Sequence, residues 1–250
     1  MPRHPDRVWR LQGAPNFRDL GGYIGHGGQP LRWHRLFRSE HLAGLTPDDH
    51  ARLAPLRLAR AFDFRGLAER AATPYDVPGV TQVSLAIEPT VVQRMDELAA
   101  SGSTLTAPLI TQLMNDLYRA LINDRADRFG ELFEHLLDSD APAVFHCTAG
   151  KDRTGIAAAL VLLALGVPRD VVRQDYLLTN ELAAPLPPPQ DSTTPIEALA
   201  VLWRVQQGFL DNALHIIDTD HGGIARYLAQ RLRLSEAALA TLATRYLHTD

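Results

Sequence analysis

The stretch that decides both the fold and the chemistry of this chain is His146-Cys147-Thr148-Ala149-Gly150-Lys151-Asp152-Arg153-Thr154-Gly155. A short apolar run over residues 142–146 predicts a buried strand before it, and a long apolar run over residues 154–165 predicts a helix after it. A strand, a tight loop and a helix therefore meet around Cys147. Such a loop can wrap successive backbone N–H groups around a phosphate, and the helix N-terminus adds partial positive charge.

The residue types of this loop suit the binding and transfer of a phosphoryl group. Backbone amides are predicted to cradle the phosphate at Thr148, Ala149, Gly150 and Lys151. Arg153 follows Cys147 with five residues between them, and its planar guanidinium matches two phosphate oxygens at once. The same positive field favours the Cys147 thiolate, which is then nucleophilic near neutral pH. Thr154 is a candidate donor of a hydrogen bond to that sulfur.

Length, charge and cysteine content narrow the class of protein. The 250 residues carry a formal net charge of −4 with scattered basic residues, so no general attraction to nucleic acid is expected. Cys147 is the single cysteine, which excludes an intramolecular disulfide and a cysteine-based zinc site. The N-terminus lacks the apolar stretch of a signal peptide, and the longest apolar run, residues 156–167, is shorter than the roughly 20 residues of a membrane span. We therefore predict a cytoplasmic protein without an integral membrane segment, and export without a signal peptide stays open.

The order of apolar patterns predicts an α/β fold, in which helices flank a central mixed sheet of four or five strands. The predicted strands cover residues 23–24, 37–40, 59–64, 82–86 and 142–146. The predicted helices begin after Thr46 and Ser235 and cover residues 89–100, 107–138, 154–165, 169–182, 203–217 and 224–232. We expect one domain over residues 1–250, with helical segments at about 89–125 and 180–210 that act as lids over the loop.

Four further segments extend the pattern in order and spacing. They are Asn16-Phe17-Arg18-Asp19-Leu20-Gly21-Gly22-Tyr23, Phe37-Arg38-Ser39, Asp63-Phe64-Arg65 with Glu69-Arg70, and Asp175-Tyr176-Leu177-Leu178-Thr179-Asn180. Together with the loop, they resemble the protein tyrosine phosphatase superfamily, and within it the atypical bacterial and fungal branch. The resemblance covers most of the chain.

The resemblance implies a two-step phosphatase reaction that needs no metal and no cofactor. Asp152 takes the place of the general acid, which protonates the leaving oxygen and then activates water, and Asp63 is the candidate backup. Lys151 is similar to lysines of relatives that act on phosphoinositides. The implied substrates are phosphotyrosine, and further phosphoserine, phosphothreonine and inositol lipids, so the partner is a phosphorylated protein or a phosphoinositide. The sequence does not decide the oligomeric state.

Several assignments leave alternatives open. His146 either tunes the thiolate or is a satisfied buried histidine, and Asp63 either assists catalysis or pairs with an arginine. Arg18 either braces the phosphate loop or forms a salt bridge that stabilises a turn. Two other functions compete with the phosphatase: an inactive module that binds phosphorylated proteins or lipids, and a sulfurtransferase-like thiol enzyme. The intact catalytic residues of the loop argue against the inactive module.

Overall fold

A five-stranded mixed sheet forms the centre of the fold in the computed structural model, which describes residues 4–88, 90–183 and 194–248. The strands are β1 (Arg18–Asp19), β2 (Leu36–Ser39), β3 (Arg60–Asp63), β4 (Thr81–Ser84) and β5 (Ala143–His146). Their order in the sheet is β1-β2-β5-β3-β4. β1 is antiparallel to β2, and the other neighbouring pairs are parallel. The predicted mixed sheet is confirmed.

Within the described residues, eleven α-helices surround this sheet, which confirms the predicted α/β class. They are α1 (Pro47–Leu53), α2 (Leu67–Ala72), α3 (Thr90–Ala100), α4 (Ala107–Asn123), α5 (Ala126–Asp138), α6 (Asp152–Ala164), α7 (Arg169–Leu182), α8 (Ile196–Trp203), α9 (Gln207–Asp220), α10 (Ile224–Gln230) and α11 (Glu236–Tyr246). None of these helices combines the length and the apolar character that crossing a bilayer requires.

The sheet separates two apolar clusters, because successive side chains of a strand point to opposite faces. Phe37, Ala61 and Val144 lie at paired positions of β2, β3 and β5 and belong to the smaller cluster, which includes residues of α1. On the other face, Phe62 and Phe145 join the larger cluster with residues of α4, α5, α6 and α9. β5 is thus buried on both faces and held between two parallel neighbours, which makes it a rigid base for the loop that follows.

The predicted strand at residues 23–24 is wrong. Ile24 forms only an isolated bridge with Pro30, and the antiparallel edge strand is β1, where Arg18 pairs with Arg38. Glycine pairs on both sides of residues 23–24 favour turns, which interrupt the regular hydrogen bonding between strands. The charged residues of β1 concealed a strand whose side chains are buried, the arginine in an ion pair and the aspartate as acceptor of hydrogen bonds from backbone N–H groups.

The helix predicted over residues 203–217 is also wrong in its bounds. α8 ends at Trp203 and α9 begins at Gln207, and both Arg204 and Gln206 have extended backbone angles. Leucine and valine spacing runs on through the break, so periodicity alone did not reveal it. The stretch 107–138 is likewise divided, into α4 and α5.

Both segments that we predicted as lids contain helices. The first holds α3 and α4, and the second holds the end of α7, all of α8 and the start of α9. α4 packs against α8 and α9, so the two segments are in contact. Residue 89 of the first segment and residues 184–193 of the second lie outside the described residues.

Candidate active site

The loop of residues 147–151 joins the carboxyl end of β5 to the first turn of α6. Cys147 directly follows the strand and is buried, with 3% of its surface exposed. α6 begins at Asp152, so the loop ends where free N–H groups and the helix dipole favour an anion. Gly150 has a φ of +66°, and a Cβ there would lie 2.5 Å from the backbone nitrogen of Glu40. The loop therefore requires glycine at this position.

Hydrogen bonds from outside the loop hold two of its carbonyl groups. Asn16 Nδ2 donates to the carbonyl oxygens of Ala149 and Gly150, at 3.4 and 3.3 Å. Arg38 Nη2 donates to the Gly150 carbonyl at 3.0 Å. Because a trans peptide directs its C=O and N–H to opposite sides, carbonyls held on the outside turn the following N–H groups toward the centre of the loop. An anion at that centre would be surrounded by donors.

Arg18 supports these hydrogen bonds indirectly, through its contacts with Asn16 and with the partner of Arg38. Its Nη1 donates to the backbone oxygen of Asn16 at 3.2 Å, and its Nε donates to Asp175 Oδ1 at 3.1 Å. Arg38 Nη1 donates to the other oxygen of the same carboxylate at 2.7 Å. Burial alone favours the protonated form of Asp175, but the charges of Arg18 and Arg38 outweigh it and hold the pKa of this carboxyl well below its usual range. Arg18 is thus part of a buried ion network and also positions Asn16.

The guanidinium of Arg153 is fixed on one side by four hydrogen bonds. Nη1 donates to the backbone oxygens of Phe64 and Ile87, at 3.3 and 2.9 Å, and to Glu69 Oε2 at 2.6 Å. Nη2 donates to Glu69 Oε1 at 2.8 Å. Nε makes no hydrogen bond to any residue that the structure describes, and Nη2 retains a second hydrogen. These two N–H groups form the side of the guanidinium that can bind two phosphate oxygens.

Glu69, in the first turn of α2, ties Arg153 to the loop. Its carboxylate also accepts hydrogen bonds from the Thr148 hydroxyl and, at 2.8 Å, from the backbone N–H of Gly66. Burial opposes ionisation of Glu69, but the hydrogen bonds and charge of Arg153 outweigh it and lower its pKa to about 2. Glu69 is therefore ionised at neutral pH and orients both the arginine and the threonine.

Both ring nitrogens of His146 have polar neighbours. Nε2 lies 2.6 Å from the Tyr75 hydroxyl, and Nδ1 lies 3.3 Å from the Cys147 carbonyl oxygen. Burial lowers the pKa of His146 to about 4, although the negative charge of Asp63 acts in the opposite direction. The ring is uncharged at neutral pH and adds no positive charge beside the sulfur. Any influence on the thiolate acts through the Cys147 carbonyl.

Asp63, at the end of β3, lies beside two cationic arginine side chains and the uncharged ring of His146. Its Oδ2 is 2.8 Å from Arg65 Nη2 and 3.5 Å from Arg70 Nε, and its Oδ1 is 3.8 Å from His146 Nδ1. Burial favours the protonated carboxyl, but the hydrogen bonds from Arg65 outweigh it and lower the pKa of Asp63. A carboxylate held in its ionised form is a poor proton donor. These contacts support the ion-pair interpretation of Asp63 over the backup acid.

Lys151 and Asp152 link the loop to the two segments that we predicted as lids. Lys151 Nζ donates to the Leu202 carbonyl in the last turn of α8 and lies 3.8 Å from Asp152 Oδ2. Asp152 Oδ1 accepts a hydrogen bond of 2.8 Å from the Tyr118 hydroxyl on α4. The Asp152 side chain is 20% exposed, so it keeps access to a bound ligand. Both segments therefore lie against the end of the loop.

The Thr154 hydroxyl is buried and has no hydrogen-bond partner in the part of the chain that the structure describes. The predicted hydrogen bond to the Cys147 sulfur is therefore not among the contacts of this structure. An ionised sulfur is a stronger acceptor than a thiol, so Thr154 remains a candidate donor to the thiolate.

Comparisons with known proteins assign the chain to a family. A sequence profile of the tyrosine phosphatase family matches residues 9–248. The chain belongs to the tyrosine phosphatase family. A Cupriavidus necator protein named as a candidate tyrosine-protein phosphatase is 32% identical to it over 236 residues, which make up 90% of this chain and 84% of that protein.

Other members of the tyrosine phosphatase family are also similar. The triple specificity protein phosphatase PtpB of Mycobacterium tuberculosis is 33% identical over 196 residues, 70% of each chain. A tyrosine-protein phosphatase of Nostoc commune is 27% identical over 145 residues, 57% of this chain and 47% of that protein. The catalytic core of Siw14 aligns over 80% of this chain and 90% of its own, with a TM-score of 0.30 and 10% identity. The fold assignment rests on the sheet and its helices and not on that last structure.

Membership in the tyrosine phosphatase family makes the chain a phosphoric monoester hydrolase, as the resemblance of its sequence implied. Sequence reasoning nevertheless gave no role to four residues that contact the loop or its functional groups. They are Asn16, Arg38, Glu69 and Tyr118. Glu69 accepts a hydrogen bond from the backbone N–H of Gly66, but the sequence lacks the Ser or Thr that marks a capping box, because position 66 is glycine. Tyr118 gave no signal, because it lies within the leucine stripe of α4.

Proposed function

We propose that the chain hydrolyses phosphomonoesters through a phosphocysteine intermediate on Cys147. The observation that carries the proposal is the position of Arg153. Glu69 and two backbone carbonyls hold one side of its guanidinium, and the other side keeps two N–H groups for phosphate. Cys147 lies at the start of the same loop, so sulfur, amides and guanidinium can all reach one phosphoryl group.

In the first step, the Cys147 thiolate attacks phosphorus, so that an S–P bond forms while the bond to the leaving oxygen breaks. Asp152 donates its proton to that oxygen, and the substrate leaves as an alcohol or phenol. Arg153 and the loop amides bind the three equatorial oxygens, on which negative charge lies in the transition state. Positioning and charge stabilisation thus supply most of the lowering of the barrier.

In the second step, Asp152 accepts a proton from water as the water oxygen attacks phosphorus. The S–P bond breaks, inorganic phosphate forms and the thiolate returns. The Thr154 hydroxyl donates a hydrogen bond to the departing sulfur and makes it a better leaving group. A buried hydroxyl without another partner among the described residues is available for this role.

The proposed substrates are phosphotyrosine, phosphoserine and phosphothreonine in proteins, and phosphoinositides. The name of the Mycobacterium tuberculosis relative, a triple specificity protein phosphatase, supports breadth of this kind. Lys151 supplies a cation next to the loop for a second phosphate. Because its Nζ donates to the Leu202 carbonyl, a second phosphate would have to replace that acceptor. The location that we propose for the enzyme is the cytoplasm.

A substrate panel tests this proposal. It contains a phosphotyrosine peptide, phosphoserine and phosphothreonine peptides, short-chain phosphoinositides and para-nitrophenyl phosphate. We expect phosphate release by the wild type and none by Cys147→Ser, which still binds the peptide. Unchanged turnover by Cys147→Ser contradicts the proposal. Binding without turnover by the wild type indicates the inactive module, and persulfide formation without phosphatase activity indicates the sulfurtransferase.

Lys151→Ala tests the part of the proposal that concerns a second phosphate. We expect it to lower kcat/KM for a phosphoinositide by about tenfold, because a lost charge-assisted contact costs on the order of 1.5 kcal/mol. The phosphotyrosine peptide, with a single phosphate, should lose less than about twofold. Equal losses for both substrates contradict a role in binding a second phosphate.

A further inference from the structure

Two buried tyrosines form a hydrogen-bonded pair beside Asp152. The Tyr118 hydroxyl on α4 donates to Asp152 Oδ1 at 2.8 Å, and it lies 2.6 Å from the Tyr176 hydroxyl on α7. Both side chains are almost completely buried, at 0% and 1% exposure. The two aromatic rings meet edge to face, and the ring of Phe209 from α9 packs on Tyr118. Three helices thus fix the hydroxyl that contacts Asp152.

The hydrogen-bond donors of this pair are determined by simple counting. An ionised carboxylate accepts hydrogen bonds only, and a tyrosine has one hydroxyl hydrogen. While Asp152 is ionised, the hydrogen of Tyr118 therefore points to Asp152, and Tyr176 must donate to the Tyr118 oxygen. Both hydroxyl hydrogens then point toward Asp152.

Both tyrosine hydroxyls remain able to donate hydrogen bonds throughout the neutral pH range. Burial raises the pKa of Tyr118 well above its ordinary value, and the negative charge of Asp152 raises it further. Burial and the charge of Asp152 likewise raise the pKa of Tyr176. Both hydroxyls stay protonated, so Tyr118 always has a hydrogen to donate.

We propose that Tyr118, held by Tyr176, is a positioning residue for the general acid. By occupying Oδ1, it leaves Oδ2 as the oxygen that carries the proton given to the leaving group. It also stops the carboxyl from rotating away from that group. The inference rests on the proposed role of Asp152 in the phosphatase reaction.

The consequence of this arrangement depends on the leaving group. A strongly acidic phenol, such as para-nitrophenol, leaves with little help from a proton donor. A weakly acidic one, such as phenol itself, depends on the proton. Hydrolysis of the phosphocysteine is common to both esters, whereas kcat/KM reports the first step alone. Misplacing Asp152 should therefore lower kcat/KM for phenyl phosphate and spare kcat/KM for para-nitrophenyl phosphate.

Tyr118→Phe, which removes only the hydroxyl oxygen, tests the proposal. We expect kcat/KM for phenyl phosphate to fall by about tenfold, the effect of about 1.4 kcal/mol on a barrier. For para-nitrophenyl phosphate kcat/KM should fall less than about twofold. Tyr227→Phe is the matched control, because its buried hydroxyl donates to the Ile122 carbonyl at 2.9 Å instead. We expect this control to keep the wild-type ratio of kcat/KM for the two substrates.

A double variant separates positioning from general damage to the fold. In an Asp152→Asn background there is no transferable proton, so adding Tyr118→Phe should cause no further selective loss. If Tyr118→Phe does not fold, Tyr176→Phe takes its place, and a smaller selective loss in the same direction is expected. Equal losses for the two phosphate esters, or an undiminished selective loss in the Asp152→Asn background, would overturn the inference. Wild-type enzyme that hydrolyses neither ester would instead refute the proposed phosphatase reaction.

Discussion

Glu69 is the residue on which the orientation of Arg153 depends. Its two carboxylate oxygens accept hydrogen bonds from both terminal nitrogens of the guanidinium, at 2.6 and 2.8 Å. This bidentate contact aims the free side of the arginine at the phosphate site. Glu69 thus determines the position of the guanidinium that we propose binds the phosphate.

Glu69→Gln is expected to lower kcat/KM by about tenfold or more, because glutamine has the shape of glutamate but only one acceptor oxygen and no charge. The measurement is steady-state hydrolysis of para-nitrophenyl phosphate near neutral pH. Glu131→Gln is the matched control, since Glu131 pairs with Arg128 at 2.8 Å on the exposed surface of α5. A Glu69→Gln variant as active as this control would contradict the orienting role.

The buried His146 should make the free energy of unfolding depend on pH. Burial holds its pKa at about 4 in the folded state, against an ordinary value of 6.5. Between these values the unfolded chain binds a proton that the folded chain does not, so the free energy of unfolding falls as pH falls from about 6.5 to about 4. The slope for one proton is about 1.4 kcal/mol per pH unit. Urea denaturation of the wild type and His146→Gln across this range measures the difference, and parallel curves would contradict it.

Glu40 should make the free energy of unfolding depend on pH in the opposite direction. Burial outweighs its hydrogen bonds from backbone N–H groups and from Ser39, and raises its pKa from 4.5 to about 7. The folded chain therefore keeps a proton that the unfolded chain releases, and this contribution to stability is lost as pH rises through about 7. Glu40→Gln should remove this slope, whereas His146→Gln removes the opposite one. Changes of the same sign in both variants would refute the assignments.

At the scale of elements, a buried carboxylate of α7 forms ion pairs with both β1 and β2. Asp175 of α7 pairs with Arg18 of β1 at 3.1 Å and with Arg38 of β2 at 2.7 Å. Arg38 in turn donates to the Gly150 carbonyl. The helix, the two strands and the phosphate loop are therefore held by a single network.

Asp175→Asn is expected to lower the free energy of unfolding by about 3–5 kcal/mol, because it leaves two buried guanidinium groups without their counter-charge. Urea denaturation measures this loss. Asp218→Asn provides the control, since Asp218 pairs with Arg169 at 2.6 Å on the partly exposed surface and should cost less than about 1 kcal/mol. Equal losses in the two variants would show that the buried network contributes no more than a surface pair.

Sequence reasoning located the elements that carry a local signal. The strand β5, the glycine of the loop and the apolar helix α6 follow one another directly, so short-range patterns were enough to find them. β1 was missed because its Arg18 and Asp19 read as surface residues until their partners are known. The break between α8 and α9 was missed because apolar spacing continues through it.

The contacts that complete the site connect residues far apart in the chain, and the sequence carries no signal for them. Glu69 meets Arg153 across 84 positions, and Asn16 meets Gly150 across 134. Tyr118 reaches Asp152 only because α4 packs over the loop. Spacing along the chain cannot reveal such pairs. The single-domain organisation of residues 1–250 stays a prediction.

At the scale of the whole molecule, the sheet, the helices and the ion network all position the loop that begins at Cys147, to which we propose that a phosphoryl group is transferred. β5 positions the sulfur, and the N-terminus of α6 places the positive end of its dipole at the end of the loop. α2 supplies the carboxylate that orients Arg153. The intermediate should accumulate if its hydrolysis is slowed. Asp152→Asn is the suitable background, because it lacks the base that activates water.

The most direct test is mass spectrometry of Asp152→Asn enzyme that is quenched in acid during turnover of para-nitrophenyl phosphate. The result that we predict is a peptide containing Cys147 that is heavier by one phosphoryl group, and its absence from Asp152→Asn enzyme that also carries Cys147→Ser. A phosphoryl group on another residue, or continued phosphate release from Cys147→Ser enzyme without any modified peptide, would contradict the account.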